Sequence, residues 1–237
     1  MIKKIPCEKM GESNLDWLKS KLHFSFADYY NEKNINFGVL RILNDNIIIS
    51  NKGFLPHSHR DMEIISYVVN GQVLHKDSIG NEVLLERGHV QYLSAGKGVS
   101  HSEINTGNEE LRLLQIWILP NKLNHNPIYK SHKFNWEERK DKFLYLVSNI
   151  NGEAPIKINQ DVNIYAIELS TDKITEFPIK KGRQAYIVQI EGNSLINDNL
   201  ELKERDGLEV IGESIKIKSL KNSHIIIIEM FERMDLK

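Results

Sequence analysis

Ile64-Ile65-Ser66-Tyr67-Val68-Val69-Asn70-Gly71-Gln72-Val73-Leu74-His75 is the stretch whose reading decides the fold. Its first six residues are mostly β-branched or aromatic, the composition of a strand. Asn70-Gly71 is the dipeptide favoured by a two-residue hairpin turn, because such a turn needs positive φ at both central residues. Gln72 to His75 then read as a second strand, ended by the polar stretch from Lys76 to Asn81. Working outward, Glu82 to Leu85 is a strand, Glu86-Arg87-Gly88 a turn and His89 to Leu93 a strand. Leu111 to Leu119 closes the region and Pro120 terminates it. Short apolar runs broken about every eight to twelve residues by turn signals are the rhythm of an all-β sandwich or barrel.

From Pro120 to Lys142 the composition turns polar and irregular, with Asn124, Asn126, Pro127 and the charged stretch Glu137 to Lys142. Strands resume at Phe143 to Val147, Ile164 to Leu169, Gln184 to Glu191, Ser194 to Ile196 and His224 to Phe231. The second half echoes the first. Ile187 to Gly192 resembles Ile65 to Gly71, and Arg205-Asp206-Gly207 follows Gly192 much as Glu86-Arg87-Gly88 follows Gly71. The expectation is two tandem β domains, residues 1–120 and 143–237, joined by a linker over 121–142. Asp16 to Leu22 is read as a helical turn.

The chain has 237 residues, 41% hydrophobic and 27% charged, with 31 basic and 32 acidic side chains for a net charge of −1. That balance, with lysines scattered among acids as in Glu201-Leu202-Lys203-Glu204-Arg205, argues against direct nucleic-acid binding. Cys7 is the only cysteine, which excludes an intramolecular disulfide and a cysteine-based zinc knuckle. The N-terminus lacks the apolar stretch of a signal peptide, and the run Ile225 to Ile228 is far too short to span a bilayer. A cytoplasmic, membrane-free monomer is expected.

The residues that carry chemistry are His57-Ser58-His59, Glu63 and His101-Ser102-Glu103. Residues two apart on a strand point to the same face. His57, His59 and Glu63 share one parity, as do His101 and Glu103, so two strands can aim imidazoles and carboxylates into one cavity. Such donors suit iron, copper, nickel, manganese or zinc. His224, alone on an apolar strand, reads as a core or edge histidine, and His75 as a pocket or structural hydrogen-bonder. Gly96-Lys97-Gly98 is no phosphate loop, since the hydroxyl residue after Gly-Lys is missing.

The glycines around these histidines carry a resemblance. Gly53-x3-His57-x-His59-x3-Glu63-x7-Gly71, followed by Gly88-x5-Ser94-x-Gly96-x4-His101-x3-Asn105, is similar to the paired motifs of the cupin superfamily. Ser94 stands where cupins usually have proline, and Gly96 to His101 is two residues longer than usual, both of which resemble the pirin branch. Ser25 to Tyr29, Arg41 to Asp45, His57 to Arg60, His75 to Ser78, Gly80-Asn81, Ser94 to Gly96, His101 to Glu103 and Leu114 to Trp117 are pirin-like in order. Gln160-Asp161 and Asp206-Gly207 resemble the second half of bacterial pirin-like proteins.

The resemblance implies an all-β bicupin, two barrel or jelly-roll cupin domains in tandem, of which only the first binds metal. It implies the ligands His57, His59, His101 and Glu103, with Glu63, the ligand position of cupins generally, beside them. One divalent transition metal is expected, iron first and Cu, Ni, Co, Mn or Zn as alternatives. It further implies a quercetinase, a dioxygenase that opens the central ring of a flavonol with dioxygen and releases carbon monoxide, with Glu103 as the catalytic base. A non-enzymatic metalloprotein that regulates a protein partner is the alternative.

Overall fold

The structure, a computed structural model, describes residues 1–232. These divide into two compact units. One is residues 11–135 together with 158–160; the other is residues 1–10, 136–157 and 161 onward.

The chain starts with β1 (Ile2–Ile5), which belongs to the second unit. The first unit is built from β2 (Gly11–Asn14), β3 (Leu18–Leu22), β4 (Leu40–Ile48), β5 (Gly53–His59), β6 (Glu63–Asn70), β7 (Gln72–Asp77), β8 (Glu82–Glu86), β9 (His89–Ser94), β10 (Val99–Ile104), β11 (Leu111–Ile118) and β12 (Ile128–Lys133). They form a seven-stranded sheet in the order β12-β9-β6-β11-β4-β3-β2 and a four-stranded sheet in the order β5-β10-β7-β8. The sheets share a core in which Leu18, Ile48, Val68, Leu111 and Leu113 of the larger meet Val73 and Leu85 of the smaller. Two antiparallel sheets closed over one core are the jelly-roll architecture expected of a cupin.

Three features differ from the sequence reading. Asn70-Gly71 does not close a hairpin: β6 pairs with β9 and β11, whereas β7 pairs with β8 and β10. The turn instead carries the chain from one sheet to the other. Gly71 keeps its positive φ of 78°, and a Cβ there would meet Glu110 O at 2.8 Å. Asp16 to Leu22 holds no helical turn but the strand β3, in which Leu18, Ser20 and Leu22 are buried and alternate with more accessible lysines. That two-residue period is a strand's. Finally, the stretch read as linker contains β12, paired along its length with β9. As a largely exposed edge strand, it shows little apolar alternation to betray it.

The second unit adds β13 (Leu144–Asn149), β14 (Ile156–Ile158, whose last residue groups with the first unit), β15 (Val162–Leu169), β16 (Ile174–Phe177), β17 (Arg183–Ile196), β18 (Leu200–Leu202), β19 (Gly207–Ile211) and β20 (Ile215–Phe231). They make one sheet, β1-β19-β17-β20-β15-β13-β14, with β16 on β20 and β18 on β17. Ile167, Ile187, Leu208, Ile225 and Ile227 lie in its core. The two strands expected at Gln184 to Glu191 and Ser194 to Ile196 are one long strand with register slips around Gly192.

Candidate metal centre

β10 is the middle of the site. On one side it pairs with β5, setting His101 opposite His57, and the register slips between His101 and Glu103 so that Glu103 faces Phe54. On the other side it pairs with β7, setting His101 opposite Asp77 and Glu103 opposite His75. Residues opposite one another on neighbouring strands share a face, and the alternation of β10 buries His101 and Glu103 together. The ligand atoms of His57, His59 and His101 lie within 4.8 Å of one another. Sharing His101, a second group of equally close donors consists of His75, His101 and Glu103.

The imidazoles are prepared to donate lone pairs. His57 Nδ1 is 2.7 Å from the carbonyl of Leu55; a carbonyl only accepts, so Nδ1 carries the proton and Nε2 is free. His59 Nε2 is buried with no partner, as is His101 Nδ1. Burial, and then the neighbouring histidines, lower the pKa of His59 to about 4 and that of His101 to about 3. Both rings are therefore neutral near pH 7, the form that binds metal. Three convergent imidazoles, two of them neutral with a buried unpartnered nitrogen, beside a buried carboxylate fit a divalent transition metal.

Glu103 is held by uncharged donors. Its Oε1 accepts from Ser66 Oγ at 2.9 Å and Gln91 Nε2 at 2.5 Å, and its Oε2 accepts from Gln115 Nε2 at 2.5 Å. These donors belong to a polar belt across the inner face of the seven-stranded sheet. Ser20 donates to Asn46 and Asn46 to Gln115, while on the other flank Tyr129 donates to Gln91.

Glu63 is also fully buried but is employed elsewhere. The shared parity with His57 and His59 does not survive, because β5 ends at His59 and Asp61 adopts a φ of 48° before β6 begins. The Glu63 carboxylate accepts from Tyr92 Oη at 2.7 Å, from N and Nδ2 of Asn159 at 3.0 and 2.7 Å, and from the backbone N of Gln160 at 3.0 Å.

A cavity of about 730 Å³ opens onto His57, His59 and His101. Its wall is mainly apolar and aromatic: Trp17, Phe26, Phe54, Ile64, Ile104 and Trp117. The Trp117 ring stands edge-on to His59 with centroids 4.7 Å apart. Such a slot admits a planar, mostly apolar molecule and brings one edge of it to the imidazoles.

His75 is the buried hydrogen-bonder expected, bonded to Asp77 and stacked on Tyr129. His224 is buried in the second unit, 3.1 Å from Glu191. The wall, the belt residues Ser66 and Gln91, and Asp77 carry no role in the sequence reading. No local signal marks the belt, because Ser66 sits in a strand that is buried from Glu63 to Val69.

The comparisons with known proteins agree in extent and kind. The family profile described as Pirin matches residues 6–118, and that described as quercetinase C-terminal cupin domain matches residues 145–230. A pirin-like protein of Caulobacter vibrioides is 37% identical over 97% of this chain and 99% of its own length. A quercetin 2,3-dioxygenase of Escherichia coli K12 is 35% identical over 93% of this chain and 94% of its own. Among solved structures, a bacterial pirin of E. coli in complex with nickel(II) superposes with a TM-score of 0.92 at 33% identity, covering 98% of this chain and all of that one.

Proposed function

We propose, from the premise that this chain belongs to the pirin family, that it is a quercetin dioxygenase-like enzyme whose metal-dependent reaction opens the central ring of a flavonol such as quercetin, consuming dioxygen and releasing carbon monoxide. The observation that carries this reading is three convergent imidazoles at an aromatic-walled cavity of about 730 Å³. Support from kinship comes from the near full-length likeness to the E. coli quercetin 2,3-dioxygenase.

His57, His59, His101 and Glu103 would hold the ion. When bound, a divalent metal supplies Lewis acidity that lowers the pKa of a coordinated hydroxyl and gathers the reactants at one point. The remaining work falls to the protein. Trp17, Phe54 and Trp117 would sandwich the flat substrate and exclude water from its reacting edge. Glu103 would take the proton from the flavonol 3-hydroxyl, since a positioned carboxylate serves as general base once it is within hydrogen-bond reach. Gln115 both lines the cavity and bonds the carboxylate, so it would restrain the side chain between its two tasks. Iron is the ion proposed first, and the nickel(II) complex of the E. coli pirin supports including nickel among the ions to be loaded.

The test is carbon monoxide release from quercetin in air, with protein reloaded separately with iron, nickel, copper, cobalt and manganese. Release above the protein-free metal controls is expected with at least one ion. His59→Ala is expected to lose bound metal and turnover while keeping its melting temperature within a few degrees. Turnover by a metal-free variant would overturn the reading, and no release with any ion would favour a regulatory metalloprotein.

A further inference from the structure

The four residues assigned to the ion come from β5 and β10, yet β7 brings a further polar pair to the same face. His75 is fully buried and the side chain of Asp77 is completely covered. His75 Nε2 lies 3.2 Å from Asp77 Oδ2. Asp77 is itself fixed: Oδ1 accepts from the backbone N–H groups of Ile79 and Asn81 at 3.0 and 2.9 Å, and Oδ2 accepts from Asn81 Nδ2 at 2.9 Å. Burial opposes its charge, but the hydrogen bonds from Asn81, His75 and Ile79 outweigh it and hold the carboxyl below its ordinary pKa. A carboxylate only accepts, so Nε2 of His75 is the donor to Asp77, and Nδ1 is the nitrogen left to accept a bond. That Nδ1 is buried without a partner.

His101 has the complementary defect. Its own Nδ1 is buried and unpartnered, and a histidine that binds an ion through Nε2 carries its proton on Nδ1. The two ring centroids are 5.4 Å apart at a 53° tilt and their donor atoms lie within 4.8 Å of each other. The two nitrogens are therefore not bonded in this structure, but a rotation of the rings would bring them to the usual length of about 3 Å. A buried donor lacking an acceptor thus neighbours a buried acceptor lacking a donor. Tyr129, stacked on His75 at 4.5 Å and 18°, fixes the plane of the ring.

We propose that when the ion is bound Asp77, His75 and His101 form one hydrogen-bonded chain in which His75 is a positioning residue, fixing His101 as its Nδ1–H tautomer so that the Nε2 lone pair meets the ion. Metal-ligating histidines commonly give their second N–H to a carboxylate or carbonyl; here an imidazole is interposed between ligand and carboxylate. The inference rests on the metal reading above.

Cobalt(II) is the probe, added to metal-free wild type, His75→Phe, His75→Gln and Asp77→Asn. Phenylalanine keeps the stack on Tyr129 without a nitrogen, whereas glutamine restores an acceptor for His101 and a donor for Asp77. His75→Phe is expected to weaken cobalt binding on the order of 10- to 100-fold, Asp77→Asn to act in the same direction, and His75→Gln to recover most of the loss. In proton spectra of the cobalt-loaded protein, a solvent-protected His101 N–H resonance is expected for wild type and His75→Gln and absent for His75→Phe. Wild-type affinity and an unchanged resonance in a folded His75→Phe would overturn the chain while leaving the metal centre standing. If that variant does not fold, unchanged affinity in Asp77→Asn overturns it. A wild type that takes up no cobalt overturns both the chain and the metal reading.

Discussion

Two buried carboxylates, Glu63 and Glu103, lie in the same unit and differ in what reaches them. Glu63 takes four hydrogen bonds, from Tyr92, Asn159 and Gln160, whereas every donor to Glu103 is a neutral side chain of the belt. Glu63→Gln puts an amide donor among donors and leaves at least one unpaired. A loss of about 1–3 kcal/mol in chemical denaturation is expected, with metal content unchanged by elemental analysis; loss of metal would return Glu63 to the ligand set. Gln115→Leu strips Glu103 Oε2 of its donor and leaves Asn46 Nδ2 without its acceptor. It is expected to cost a similar amount and to lower kcat more than it raises KM, read by steady-state kinetics on quercetin. At this scale the histidines were legible because a period of two is visible in His57-Ser58-His59. The belt was not, because β6 is buried on both faces, so nothing local distinguishes an inward Ser66 from an outward one.

Among the elements, β5 and β10 meet so tightly that only glycine fits at the start of β5. A Cβ on Gly53 would lie 2.1 Å from the backbone oxygen of Glu103. Gly53→Ala must therefore push apart the two strands that carry the histidines. A stability loss of about 1–3 kcal/mol is expected from this overpacking, together with weaker cobalt binding in the same titration; an unchanged melting temperature would show that the strands yield freely. Strand positions were readable from composition across most of the chain, but their pairing was not. Asn70-Gly71 has the chemistry of a hairpin, and the φ it requires at Gly71 is present, yet the next strand pairs in another sheet. Which sheet receives a strand is settled by contacts distant in sequence, here the facing of Val68 to Val73 and Leu85 across one core. β12 escaped notice for a different reason, as an exposed edge strand needs no apolar face.

On the scale of the molecule, the two tandem domains expected from the echo between halves are present, but their boundaries interleave. β1 pairs with β19, from Ile2 opposite Val210 to Ile5 opposite Gly207, and Cys7 N donates to Asp206 at 2.8 Å. Residues 158–160 group with the first unit through Glu63. A chain cut at the expected linker, after residue 142, therefore misplaces both segments. Residues 1–142 alone are expected to melt well below the intact protein, and adding a peptide spanning 154–163 is expected to recover part of the difference, measured by scanning calorimetry. A fragment as stable as the whole would show that the lent segment contributes nothing.

The hold of Asn159 and Gln160 on Glu63 also bears on the metal. In cupins generally, by the resemblance above, that glutamate faces the ion. Here two residues from far along the chain have already satisfied its oxygens, so on the proposed reading an ion in this cavity would take Glu103 instead. On that reading the later sequence would edit the coordination chemistry of the earlier one. Were Asn159 and Gln160 removed together, the choice between the two glutamates would be open again.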